Sequence, residues 1–187
     1  MALFGVQITI HKPKNFYRDR LAEQLIKLLI RYGFDVNSSL NDEGDCLLGM
    51  ACAFDLDKGS GRDSIIDMVV ETAIGLGADV NMKNDAGQTP LMLSCSGDFQ
   101  TMEAVQLALL EAGADISLRD VQGNTVFHYV ADQDSRRNAV AMAELMLDFG
   151  EPDANAVNLA GKTAMDYAVE RDNTPLVKLL LPYMDEK

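Results

Sequence analysis

The sequence predicts an all-α solenoid of stacked helix-turn-helix repeats joined by β-turn loops, and three observations predict it. One short segment recurs: Gly77-Ala78-Asp79-Val80-Asn81 and Gly113-Ala114-Asp115-Ile116-Ser117 are near copies, with Gly33-Phe34-Asp35-Val36-Asn37 and Gly150-Glu151-Pro152-Asp153-Ala154-Asn155 as degraded versions. A second glycine follows each after a short polar stretch, at Gly44, Gly87, Gly123 and Gly161, and these stand 43, 36 and 38 residues apart. Each second glycine leads into a related helical opening, which reads Thr89-Pro90-Leu91-Met92, Thr125-Val126-Phe127-His128 and Thr163-Ala164-Met165-Asp166 in the last three copies. A period of roughly 20 to 50 residues marks a stacked array, in which each unit hides its apolar face against the next.

In chain order, Leu3, Val6, Ile8 and Ile10 alternate like a short half-buried strand, so residues 1–17 are expected to cap the array or form an added arm. A helix follows from about Arg18 to Tyr32, with Leu21, Leu25, Leu28 and Leu29 at helical spacing. The first full unit opens at Asp45-Cys46-Leu47-Leu48 and continues through a Gly- and Ser-containing loop, Asp55 to Asp63. It ends in a helix with Ile65, Met68, Val69 and Ile74 on one face. In later units threonine caps the first helix and Pro90 sits in its first turn, where a missing N–H costs nothing. Met142, Leu145, Met146 and Phe149 repeat the core spacing in the third unit, after a loop at Asp132 to Asn138. In the last unit Leu176, Leu179 and Leu180 should face inward and Pro182 should stop the helix. The glycine closing each long helix supplies a left-handed C-cap. The expected organisation is one array over 1–187: a partial N-terminal unit at 18–40, repeats with inserted loops at 41–83, 84–119 and 120–157, and a C-terminal capping repeat at 158–187.

These segments resemble the ankyrin repeat family, whose unit is a β-turn plus two antiparallel helices with a Thr-Pro-Leu-His signature and a closing Gly-Ala-Asp-Val-Asn. Thr89-Pro90-Leu91 and Gly77 to Asn81 match best, and His128 stands at the signature histidine position. The resemblance spans about residues 20 to 185. The family period is about 33 residues, so the longer spacings imply loop insertions of about 10, 3 and 5 residues. The resemblance implies a structural role for His128, hydrogen-bonded within or between units.

Charge narrows the partners. Acidic residues number 29 against 16 basic ones, a formal charge of −13, so bulk attraction to nucleic acid or anionic lipid is excluded and a basic protein is favoured. The three cysteines, Cys46, Cys52 and Cys95, are an odd number in a chain that needs no staples; reduced thiols and a cytoplasmic setting are expected. No signal peptide is read at the start, which lacks a basic n-region.

Catalytic and cofactor signals are absent. Cys46 and Cys52 fit no zinc spacing, and Gly59-Ser60-Gly61 lacks the lysine of a phosphate loop. The Asp-rich stretches Asn41 to Asp45 and Asp55 to Asp57 lack the calcium-loop pattern. No enzyme activity, cofactor or metal is expected, and the ten methionines read as core filler.

The resemblance implies that a partner is held on the concave face, by turn tips and first helices. Projected onto this chain, those positions are Asp42, Glu43, Asp45 and Phe54 in the first unit, Lys83, Asp85 and Gln88 in the second, Arg119, Val121, Gln122 and Asp132 in the third, and Val157 and Leu159 in the last. Asp42, Glu43, Asp45 and Asp85 would steer a basic partner, and Phe54, Val121, Val157 and Leu159 would hold it. The leading function is a non-enzymatic protein-binding module, favoured as a dedicated inhibitor of immunity type. The alternatives are a scaffold or regulatory adaptor, a delivered effector, and, as the outsider, an enzyme or small-molecule sensor. A monomer is expected, with self-association through the N-terminal segment as the competing state.

Overall fold

The computed structural model describes residues 31–53, 63–96 and 99–184, with helical Gln24, Lys27 and Leu28 ahead of them. The alternating segment at the start, the loop from Asp55 to Arg62 and Phe54 lie outside the described residues.

Beyond those helical residues, eight α-helices with described bounds follow one another, and no strand occurs among the described residues: α1 (Leu47–Ala53), α2 (Asp63–Gly75), α3 (Pro90–Ser94), α4 (Phe99–Glu111), α5 (Val126–Ala131), α6 (Arg136–Leu147), α7 (Ala164–Glu170) and α8 (Thr174–Leu180). A 3-10 turn at Leu181–Tyr183 contains Pro182, which ends α8 as expected. The short helices α1, α3, α5 and α7 pack in sequence as one layer, and α2, α4, α6 and α8 stack behind them as a second. Thr89, Thr125 and Thr163 each hold the extended backbone of an N-cap. The Oγ1 of Thr163 accepts from the N–H of Asp166, whose carboxylate in turn accepts from the N–H of Thr163.

The core is a ribbon between the two layers. Leu48, Leu91, Met92, Val126 and Ala168 of the short helices meet Val70, Val105, Leu109, Met142, Met146, Leu176 and Leu180 of the long ones, all essentially inaccessible to water. Burying each large side chain stabilises the stack by about 1.5–3 kcal/mol before entropy is counted. The seam of α2 runs through Ile66, Val70 and Ala73, with Met68, Val69 and Ile74 half-buried on its flanks. Helical spacing fits both faces, and neighbour packing selects between them. Leu28 and Phe149, expected in the core, are exposed; Phe149 falls beyond Asp148, the C-cap of α6. The insertion expected at Asp132 to Asn138 is a shorter connection, because α6 starts at Arg136 with Ser135 as its N-cap.

Two of the closing glycines do what their position demands. Gly77 and Gly113 take φ of +88° and +91°. Behind them Ala78 N–H donates to Ala73 O at 3.0 Å and Ala114 N–H to Leu109 O at 2.9 Å, the six-to-one bond of a Schellman cap. Gly150 is not left-handed, since it sits one residue further from its helix than the others do.

Candidate protein-binding site

Each unit opens in a tight turn built by its first polar residue. The side-chain oxygen of Asn41 accepts from the N–H groups of Glu43 and Asp45 at 3.1 and 2.9 Å. Asp120 does the same for Gln122 and Asn124, both at 2.8 Å, and Asn158 for Ala160 and Lys162, both at 3.0 Å. These are Asx turns, in which a short polar side chain stands in for backbone. Gly44, Gly87, Gly123 and Gly161 close them at φ of +74° to +78°. Successive tips join by one backbone hydrogen bond each: Asp85 N–H to Glu43 O, Val121 N–H to Ala86 O and Leu159 N–H to Gln122 O, at 3.0, 3.0 and 2.8 Å. The result is a continuous row of tips along one edge of the stack.

Behind that row runs a chain of polar side chains linking all four units. Asn84 Nδ2 donates to Asp45 Oδ1 at 2.9 Å and to Gln88 Oε1 at 3.2 Å. Gln88 Nε2 donates to the Tyr129 hydroxyl at 2.9 Å, which donates onward to Asp120 Oδ2 at 2.6 Å. Asn124 Nδ2 donates to the same oxygen at 3.0 Å. Asn158 Nδ2 donates to Asn124 Oδ1 at 2.7 Å and to the Tyr167 hydroxyl at 3.2 Å. Burial pushes the Asp120 carboxyl up, but the bonds from Tyr129, Asn124 and two backbone N–H groups outweigh it and hold it below the usual range. Burial and the Asp120 carboxylate push the Tyr129 phenol up to about 12. His128 is buried; its Nδ1 accepts from Thr125 N–H at 3.1 Å and its Nε2 reaches Lys162 O at 3.2 Å. It therefore ties one unit to the next, as expected of a structural histidine.

The structure sorts the expected site residues into two groups. Asp42, Glu43, Asp85 and Gln122 are exposed on the tips, and Val121, Val157 and Leu159 are 57%, 49% and 77% exposed. The remaining described ones are engaged within the protein. Asp45 is buried, because it accepts from Asn41 and Asn84 at 2.9 Å each, and is corrected from a steering charge to a link between units. Half-buried Gln88 belongs to the polar chain. Lys83 Nζ donates to Arg119 O at 2.8 Å, while Arg119 reaches Asp153 at 3.0 Å and Val157 O at 3.3 Å. Asp132 pairs with Arg171 at 2.6 Å. Phe54 lies outside the described residues.

Residues that sequence reasoning passed over are Tyr129 and Tyr167. Each stands six positions after its turn glycine, where the first two units carry Met50 and Leu93. That recurrence was a readable sign of a surface shared by the last two units.

Among the described residues, no group of three His, Cys, Asp or Glu side chains is arranged to hold a metal, and no helix is long and apolar enough to cross a membrane. Cys46, Cys52 and Cys95 are buried free thiols, and burial pushes Cys95 up to about 12. A thiol so shifted is no nucleophile at neutral pH.

Residues 99–187 match the sequence model of ankyrin repeats in three copies. Among curated proteins, the chain is 24% identical over 116 residues to an intracellular phospholipase A2 of Caenorhabditis elegans, covering 62% of this chain and 11% of that protein. It is 30% identical over 105 residues to NF-kappa-B inhibitor alpha of Gallus gallus, covering 56% and 30%. It is 28% identical over 156 residues to an ankyrin repeat protein of Variola virus, covering 83% and 26%. The chain spans under a third of the length of each of these relatives.

Proposed function

Since the chain belongs to the ankyrin repeat family, whose members generally serve as interaction modules, we propose that it is a non-enzymatic protein-binding module that takes a basic partner along its turn tips and concave face. The observation that carries this is the state of the charges there. The acids Asp42, Glu43 and Asp85 are exposed and form no ion pair among the described residues, while Lys83, Arg119, Lys162 and Arg171, cations of the second, third and last units, are each bonded to the protein itself. Unpaired negative charge steers a basic surface and raises its association rate. Val121, Val157 and Leu159 then offer apolar anchors at the other end of the row. The phospholipase relative is an enzyme by name, but it is matched over 11% of its length, which supports a shared repeat array and not a shared reaction.

Within this function we favour an inhibitor acting by occupying one partner. The strong net negative charge supports it, as does similarity to a protein named as an inhibitor. The buried free thiols support a reducing, cytoplasmic setting.

Affinity capture at two salt concentrations tests the proposal, using the wild-type chain and a variant carrying Asp42→Lys, Glu43→Lys and Asp85→Lys. The expected result is a basic partner whose association slows at least about tenfold on charge reversal and falls with salt. A partner bound with unchanged rate and no salt dependence would overturn it.

A further inference from the structure

Between α5 and α7 lies a pocket of about 60 Å³ lined by Asn124, His128, Tyr129, Asp132 and Tyr167. A metabolite pocket occupies roughly 300–1,000 Å³, so this one is scaled to a single side-chain head. Its walls are two phenol rings and an imidazole set edge-on to Tyr167, with centroids 6.1 Å apart and planes at 77°. Burial holds His128 below its ordinary pKa, so the imidazole adds no positive charge at pH 7.

The electrostatics favour a cation. The Nε and Nη2 groups of Arg171 both bond Oδ1 of Asp132, at 3.2 and 2.6 Å, and no bond reaches Oδ2 among the described residues. Behind the rings lies the Asp120 carboxylate, hydrogen-bonded to Tyr129. Asp120, Asp132, Asp134 and Glu170 outnumber the nearby cations Lys162, Arg171 and Arg119. The Tyr167 ring already holds one ammonium, with Lys162 Nζ 5.0 Å from its centroid, the geometry of a cation–π contact.

We propose that this pocket receives one lysine or arginine side chain of the partner, its charged head on Asp132 and its stem against Tyr129 and Tyr167. The proposal rests on the reading that the partner is basic, and adds the place where one of its cations is recognised. Arg171 covers the site through exposed ion pairs with Asp132 and Asp134, and an incoming cation exchanges with it on Asp132.

The test is an amide-shift titration of the full chain with nonaarginine and, separately, nonalysine at fixed ionic strength. Shifts are expected at Asn124, Tyr129, Asp132 and Tyr167 as well as at the tips, and the stronger peptide identifies the preferred head group. Asp132→Asn should weaken binding about fivefold and abolish the pocket shifts alone. Arg171→Ala should strengthen it about threefold by uncovering the carboxylate, a gain that a merely structural role would not produce. Shifts confined to Asp42, Glu43 and Asp85, with both variants binding as wild type, would overturn the pocket and leave the basic-partner reading standing. No shift with either peptide would overturn both.

Discussion

Asn84 donates its side-chain amide to the buried carboxylate of Asp45 at 2.9 Å, so the turn opening the second unit is tied to the turn opening the first. The contact explains why an acid expected at the surface lies inside. The expected consequence is energetic. Asp45→Ala strands donors on both Asn41 and Asn84 and should cost about 1–3 kcal/mol. Asp45→Asn keeps one acceptor and should cost less. Paired with Asn84→Ala, the losses should fail to add by roughly 0.5 kcal/mol or more, because both variants break one bond. Urea unfolding of the four proteins checks this, and strict additivity would refute the link.

Gly87 and Gly161 have the same backbone conformation, φ +74° and +75°, but different neighbours. A Cβ on Gly87 would stand 2.8 Å from the backbone nitrogen of Val121, whereas one on Gly161 meets nothing within 4 Å. Gly161→Ala should therefore cost only the left-handed penalty of about 1–2 kcal/mol. Gly87→Ala adds an overpacking cost of roughly 1–3 kcal/mol, since the clash is with backbone. Equal unfolding midpoints for the two variants would show that the tips can separate freely.

The pH dependence follows from His128. Burial lowers its pKa from 6.5, so the unfolded chain takes up a proton near pH 6.5 while the folded chain takes it only at lower pH. The unfolded state binds more protons in that window, so this contribution is complete above pH 6.5 and is lost as pH falls through it. Asp115, Asp120 and Asp166 all have lowered values, and their contributions are lost only below about pH 4. His128→Gln should therefore flatten the loss of stability between pH 7 and pH 5, measured from urea midpoints. An unchanged slope would mean that another group drives it.

Gln106 lies fully buried in α4 with Nε2 3.4 Å from Ser94 O and, among the described residues, no partner for Oε1. An unsatisfied buried oxygen is costly and the one bond is long, so Gln106→Met, which keeps the shape, should be neutral or stabilising by up to about 1 kcal/mol. Thermal denaturation reads the result, and a loss above about 2 kcal/mol would point to a buried water completing the site.

Much of this protein was determined by its sequence alone. The recurrence of turn glycines, capping threonines and Gly-Ala-Asp segments specified the stack, because each residue type acts on backbone within a few positions of itself. A left-handed φ at Gly77 or an Asx turn at Asn158 needs no distant partner. The exposed tips, Asp42, Glu43, Asp85, Val121 and Leu159, were legible for the same reason. What only tertiary structure decided is which polar side chains remain available to a partner. Asp45, Gln88, Lys83 and Arg119 have the composition of a surface, yet each is taken up by a group 30 or more residues away in the adjoining unit. The pocket of Tyr129 and Tyr167 likewise exists only because α5 stacks on α7. Hydrogen bonds and pockets between units depend on separations of a few ångströms set by the packed core, a quantity that local pattern does not contain.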